Sequence, residues 1–463
     1  MLKRIANIDR KWWVLIVIGT GSFMSALDAS VVNTILPILR TAFASDVATI
    51  EWVVTVYLLV LTGLLLTFGR LGDLRGHKSV YVWGFGIFIA GSALSGMAWS
   101  DAMLVVFRGF QAIGGAMLAS NAPAIVTGNI PPAQRGRAFG MVSTMTYLGL
   151  TVGPSLGGFL THAIGWRSVF YINVPVGGLA LALSLLFIPK DVSAERGQRF
   201  DLAGAAVFLV GLTAFMLALN KGAAWGWTSP AVLGLLAGAI VVLAIFIQIE
   251  RRSPAPMLDL SMFRIPLFST AAGSAVLNYI CVYSITFLMP FYLIQGRGLN
   301  AAQAGLFMTV QPILMAISAP ISGALSDRIG SRLPGMIGMG VLAAGLVLLS
   351  LLGTDSGLWL VVLGLAVAGL GTGTFIAPNT SALMGAAPRA RQGIASGVQA
   401  AARNFGMVLG IGLAGAIFTT HLAANTDAAL YSGIDMGFLV AAGVAVLGIA
   451  SSAMKDESNA KTM

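Results

Sequence analysis

Apolar runs of about 20 residues, each long enough to cross a bilayer as a helix, alternate with short charged segments along almost the whole chain. The pattern predicts fourteen helices, near residues 12–38, 50–70, 79–98, 102–125, 136–161, 169–188, 202–220, 231–249, 267–293, 302–324, 334–353, 357–380, 392–419 and 434–454. The expected fold class is an all-α integral membrane protein. The basic start, MLKRIANIDRKWW, resembles the head of a signal peptide. The apolar run behind it outlasts the usual h-region of about 7–15 residues and has no small-residue cleavage site, so it is read as a retained first span.

The charged segments are not all different. GRLGDLRGHK (Gly69–Lys78) returns 254 residues later as GALSDRIGSR (Gly323–Arg332). Ala122-Pro123 is answered by Ala377-Pro378, and Gly149-x3-Gly153-x4-Gly158 by Gly406-x3-Gly410-x4-Gly415. The duplication predicts two pseudo-symmetric six-helix bundles, residues 1–188 and 265–463. A two-helix insertion with its linkers, 189–264, separates them.

Composition agrees with this picture. Of 463 residues, 57% are hydrophobic and 10% charged, against roughly 25% charged in soluble domains. The net charge of +10 reads as the positive-inside bias rather than as a nucleic-acid surface. With fourteen spans, 21 of the 27 Lys and Arg fall on one side, 4 on the other and 2 (Arg108 and Arg403) inside helices. Both termini are therefore expected in the cytoplasm. One cysteine, Cys281, and three scattered histidines, His77, His162 and His421, leave no disulfide and no metal site. No phosphate-cradling Gly loop is followed by Lys-Ser/Thr, and no Ser/His/Asp cluster appears. The chain is expected to be no enzyme and to need no cofactor.

Asp28 is the sharpest candidate. A mid-span carboxylate costs at least about 2.5–3.5 kcal/mol to insert, so it is expected to face a polar interior and to take and release protons. Arg108 lies at similar depth and is its expected partner. Arg403, near mid-membrane, has no evident partner in the sequence and would disfavour a cation in its vicinity. Asn33, Tyr57, Gln111 and Tyr147 are candidate cavity residues of the first half, and Asn278, Tyr283, Gln311 and Asn379 of the second. Pro37 answers Pro290, which puts Cys281 opposite Asp28 and assigns proton handling to the first half. Asp73 and Asp327, accepting from nearby Arg or sitting at the N-terminus of a neighbouring helix, are expected to latch the cytoplasmic ends together, with Arg75 and Arg328 taking part. Gly149, Gly153, Gly157 and Gly158, with Pro154, form a thin, kinkable face that suits a rocking interface.

These motifs resemble those of the major facilitator superfamily. GRLGDLRGHK is similar to its loop motif: Gly69, Asp73, Gly76 and Lys78 match, while Leu74 and His77 stand where basic residues are common. RGFQAIGGA (Arg108–Ala116) resembles the fourth-helix motif, and GLTVGPSLGG (Gly149–Gly158) the fifth-helix glycine motif of antiporters. LDASVVNTILP (Leu27–Pro37), WRSVFYINVP (Trp166–Pro175) and FDLAG (Phe200–Gly204) resemble the fourteen-span branch of its drug:proton antiporters. The resemblance implies a proton-driven multidrug exporter of the bacterial cell membrane, working by alternating access and functional as a monomer. Its partners would be protons, lipid and amphipathic small molecules, cationic drugs or biocides among them. A dedicated exporter of one metabolite or anion, which Arg403 would suit, is the alternative. A receptor or scaffold without transport is more remote, since it has no use for Asp28.

Overall fold

The computed structural model describes residues 9–45, 47–190, 201–226, 228–253, 256, 258–422 and 427–454. The basic termini and residues 191–200 of the expected sixth-to-seventh linker lie outside these. The long helices are α1 (Arg10–Ala42), α2 (Trp52–Arg75), α3 (His77–Met97), α4 (Asp101–Asn129), α5 (Arg135–Ala163) and α6 (Asn173–Phe187). Then come α7 (Leu202–Trp225), α8 (Pro230–Arg252), α9 (Pro266–Pro290), α10 (Val310–Ile329), α11 (Arg332–Ser350), α12 (Leu358–Ala386), α13 (Gln392–Leu422) and α14 (Asp427–Ala453). Twelve segments among the described residues are long and apolar enough to cross a membrane. The helix Arg135–Ala163 is not among them, and Ala203–Ala218 of α7 forms a shorter apolar stretch.

Local chemistry sets the ends. Ser100 caps α4 by accepting from the Met103 N–H at 3.3 Å, and Asp201 caps α7 by accepting from the Gly204 N–H at 2.7 Å. These satisfy backbone donors that the first turn leaves open. Helices α2 and α10 both stop at a glycine with positive φ, Gly76 at 92° and Gly330 at 83°. Those are the equivalent glycines of the two loop copies, in a backbone region other residues enter only at a cost.

The packing follows the duplication. In the first half α1 lies on α5 and α4 on both α2 and α3; in the second α9 lies on α13 and α12 on both α10 and α11. The halves meet chiefly through two equivalent pairs, α2 with α13 and α5 with α10, flanked by the pairs α4 with α13 and α5 with α12. Helices α7 and α8 form a hairpin that rests on α2 and α13, with Phe215 against Phe405 at 5.8 Å.

Candidate functional site

Asp28 sits in the interior of α1, 2% exposed. The glycine stripe of α5 puts α1 there. A Cβ on Gly149 would stand 2.5 Å from the Phe23 carbonyl oxygen, on Gly153 2.6 Å from Ser30 Cβ, and on Gly157 2.7 Å from Val31 Cγ1. Ser30 Oγ donates to the Leu150 carbonyl at 3.0 Å. Small residues thus let the two helices meet at backbone distance on either side of Asp28. Pro154 lies within this stretch of α5, whereas Gly158 has nothing within 4 Å of its Cβ position. The stripe thus lines the contact of α5 with α1. It joins α5 to α1 within one half, because α5 meets α10 on a different face, through Gly136 and Gly140.

Two helices, α4 and α6, supply three donors to the carboxylate. Arg108 Nη1 donates to Asp28 Oδ2 at 2.7 Å and to Gln111 Oε1 at 2.7 Å. Gln111 Nε2 and Asn173 Nδ2 donate to Asp28 Oδ1 at 3.0 and 2.9 Å. Asn173 also donates to Ser92 Oγ at 3.0 Å, and Ser92 donates to the Phe170 carbonyl at 2.9 Å. Arg108 and Gln111 share a face because they are three apart on α4. The Arg108 guanidinium, 1% exposed, lies 4.2 Å from the centre of the Tyr57 ring. This is a charge pair closed off from water, with hydrogen bonds on both carboxylate oxygens. Protonating Asp28 would remove the charge that holds Arg108 in place.

Tyr57 connects this cluster to a second one. Arg403 on α13 lies within electrostatic range of Tyr57, Tyr147, Tyr279 and Tyr283, which come from α2, α5 and α9. No carboxylate among the described residues forms an ion pair with Arg403. Nearby, Asn404 Nδ2 donates to Thr62 Oγ1 at 2.8 Å across the halves.

The other candidate lining residues lie elsewhere. Asn278 donates to Met339 Sδ at 3.4 Å, and Asn379 to the Ala271 carbonyl at 3.0 Å. Both are contacts between helices inside the second half. Gln311 is 6% exposed, with its backbone against Gly369 of α12. Asn33 is exposed. A polar residue in an apolar helix satisfies itself on the nearest carbonyl or sulfur as readily as it lines a pore, and sequence does not separate the two cases.

At the end of the bundle that carries most of the Arg and Lys, the two loop copies act alike. Asp73 Oδ1 and Oδ2 accept from the N–H groups of Gly393 and Ile394, at 2.8 and 3.1 Å. Asp327 Oδ1 and Oδ2 accept from those of Gly136 and Arg137, at 2.7 and 2.9 Å. Each carboxylate sits on the N-terminus of a long helix of the opposite half, where unpaired N–H groups and the helix dipole favour an anion. Gly69 faces Gly393, and Gly323 faces Gly136, at backbone contact. The sequence pointed to Arg75 and Arg328 as participants. Both are exposed, and neither is ion-paired among the described residues. The helix N–H groups take the role that these arginines were expected to share. Lys78 instead donates to the Leu185 and Ile188 carbonyls at 2.9 and 2.5 Å, closing the C-terminus of α6.

Asn173, Ser92, Gly136 and Gly393 were not singled out from sequence. The signal for the glycines was present, since Pro132-Ala-Gln-Arg-Gly136 resembles Pro388-Arg-Ala-Arg-Gln-Gly393 in the repeat. For Asn173 the signal was its place in WRSVFYINVP (Trp166–Pro175), which marked the segment without marking this residue.

Comparison with known proteins agrees with this architecture. The family model described as Major Facilitator Superfamily matches residues 18–271 and 271–461. The riboflavin transporter RibZ of Clostridioides difficile is 33% identical over 96% of this chain and 97% of its own length. The multidrug resistance protein Stp of Mycobacterium tuberculosis is 35% identical over 89% of this chain and 77% of its own. In fold, the chain is similar to the crystal structure of the human organic anion transporter MFSD10, with a TM-score of 0.69 at 16% identity, covering 96% of this chain and 99% of that one.

Proposed function

The chain belongs to the Major Facilitator Superfamily and is a multi-pass transporter of the bacterial cell membrane, not an enzyme, and from that premise we propose that it exports amphipathic compounds in exchange for protons by alternating access. The observation that carries this reading is the enclosed Asp28–Arg108 pair, since a buried carboxylate inside a membrane helix marks a proton or ion path by default. Relatives named for multidrug resistance and for riboflavin support a small amphipathic cargo. We assign the chain fourteen spans as bundles 1–188 and 265–463 around an insertion at 189–264, acting as a monomer and driven by the proton gradient without a cofactor. The charge bias then makes the basic end cytoplasmic, and closure there corresponds to an outward-facing state.

Helix α2 supports a route from proton to gate. It carries Tyr57 against Arg108 and, about 24 Å further along at 1.5 Å per residue, Asp73 in the latch. Neutralising Asp28 loosens Arg108, hence Tyr57, and a rigid helix passes the shift to the contact with α13.

The test is proton flux in inverted vesicles on adding ethidium, for wild type and Asp28→Asn. Dissipation of the gradient by wild type alone supports coupling through Asp28 and a cationic cargo. Equal responses would place the coupling elsewhere. A response to an anionic compound only would favour the second reading, an exporter of one metabolite or anion, which Arg403, with no carboxylate partner among the described residues, supports.

A further inference from the structure

His77, the first residue of α3, is enclosed beside the Asp73 latch. Its Nδ1 lies 2.9 Å from Asn121 Oδ1, and its Nε2 lies 3.4 Å from Asp73 Oδ1. The orientation of the Asn121 amide is fixed by its other contacts. Asn121 Nδ2 donates to the Phe68 and Met117 carbonyls at 3.1 and 2.9 Å, and to Ser120 Oγ at 3.1 Å. Turning the amide over would point its oxygen at two carbonyl oxygens, so the atom facing His77 is an acceptor. The histidine therefore has an acceptor on each ring nitrogen. A neutral imidazole has one N–H and one bare nitrogen; only the imidazolium donates at both positions. With a neutral ring, either Asn121 or the Asp73 carboxylate would face a lone pair.

We propose that His77 is a second proton-binding site of the transporter, separate from Asp28, and that its protonated form holds the cytoplasmic latch shut. Asp73 Oδ1 is shared between His77 and the Gly393 N–H. The imidazolium thus completes the group that clamps the N-terminus of α13. The first and second loop copies differ here. Ser331 stands where the repeat aligns with His77, so the Asp327 latch has no equivalent titrating ring.

The site is open to the cytoplasmic end. A cleft of about 410 Å³ is lined by Asp73, His77, Arg135, Arg389 and Gln392. The charged groups around the ring are mixed. Asp73 favours its second proton. Arg135 and Arg389 across the cleft, Lys78 next in α3, and Arg70 and Arg75 on α2 oppose it. A fixed charge at this position, Arg or Lys, would hold the latch at every pH. Histidine makes it release as the cytoplasm turns alkaline, because it is the side chain that ordinarily changes charge between about pH 5 and 8. The sign follows from linkage: the closed form binds one proton more, so each pH unit of rise opens it by up to about tenfold.

This inference rests on alternating access with the basic end cytoplasmic. It is tested in an Asp28→Asn background, so that the coupling carboxylate does not contribute. Spin labels on cysteines replacing the exposed Ser79 and Arg332 report the distance between the halves at the cytoplasmic end. From about pH 5 to about pH 8, the window of an ordinary histidine, the distribution with His77 intact should move from short to long. With His77→Arg it should stay short, and with His77→Gln it should be long and independent of pH. Histidine-labelled protein has three rings, and the one lost in His77→Gln should show two ring N–H groups whenever the latch is closed. A distribution that ignores pH, or a ring that is neutral in the closed protein, overturns the proposal. The ethidium assay compares wild type with Asp28→Asn, both with His77 intact, so failure of the export reading is seen separately from failure of this one.

Discussion

Gly69 and Gly393 meet so closely that a Cβ on either would overlap the carbonyl oxygen of the other. The same holds for Gly323 and Gly136. Each pair lies one helical turn from the Asp that accepts from the opposing helix N-terminus, so glycine sets the approach and the carboxylate holds it. Gly69→Ala should therefore push α2 from α13. Overpacking costs about 1–3 kcal/mol, and here it falls on the closed state alone, so the closed-to-open ratio should drop by roughly 5- to 150-fold. Distance measurement between labels on the two halves checks this. An unchanged ratio would mean that the glycines are not close packed.

The Asp28–Arg108 pair predicts strong non-additivity. Arg108→Met leaves a buried carboxylate without its counter-charge and should cost roughly 3–5 kcal/mol. Asp28→Asn with Arg108→Met removes both charges and should recover most of that loss. Thermal unfolding in detergent of the two single variants and the double variant closes the cycle. Additive losses would indicate that the 2.7 Å contact contributes little.

How much of this was legible beforehand depended on the kind of signal. Helix positions were, because span length and apolar composition are set by the bilayer; the ends move by a few residues, as with 12–38 against Arg10–Ala42. The repeat was legible, and with it the equivalence of Asp73 and Asp327. The contact between Asp28 and Arg108 was accessible through depth along two helices. Their partner Asn173 was not, since depth says nothing about which face of α6 turns inward. Of the two latch partners the sequence left open, an arginine or a helix N-terminus, the helix N-terminus holds both carboxylates, and Arg75 and Arg328 stand apart. Asn278 and Asn379 look like pore residues in sequence and are helix-to-helix ties in space.

The glycine stripe of α5 separates two kinds of substitution. Gly158→Ala meets nothing within 4 Å and should be neutral or stabilising by about 0.5–1 kcal/mol, through helix propensity alone. Gly153→Ala must displace Ser30 of α1, two residues beyond Asp28, and should cost about 1–3 kcal/mol. Because the displaced helix carries the carboxylate, Gly153→Ala should also weaken proton-coupled export. Melting temperature and ethidium-driven proton flux, measured on both variants, distinguish this from static packing, which would change the first and leave the second.

Arg403 bears on the charge of the cargo. It lies within electrostatic range of tyrosines of α2, α5 and α9, with no carboxylate paired to it among the described residues. A guanidinium keeps its proton in practice, so it repels a lipophilic cation entering that space and attracts a carboxylate or sulfonate. Tyrosine rings in reach of the same cargo would add stacking for a flat ring system. A fluorescent aromatic anion such as carboxyfluorescein should therefore leave loaded proteoliposomes faster than ethidium. Arg403→Gln should slow the anion at least about tenfold, equivalent to about 1.4 kcal/mol of lost interaction. The same variant should leave ethidium export unchanged or raise it. If Arg403→Gln slows both alike, the residue acts on the contact between α13 and α2, where Asn404 already bonds Thr62. If neither rate changes, its charge does not face the cargo.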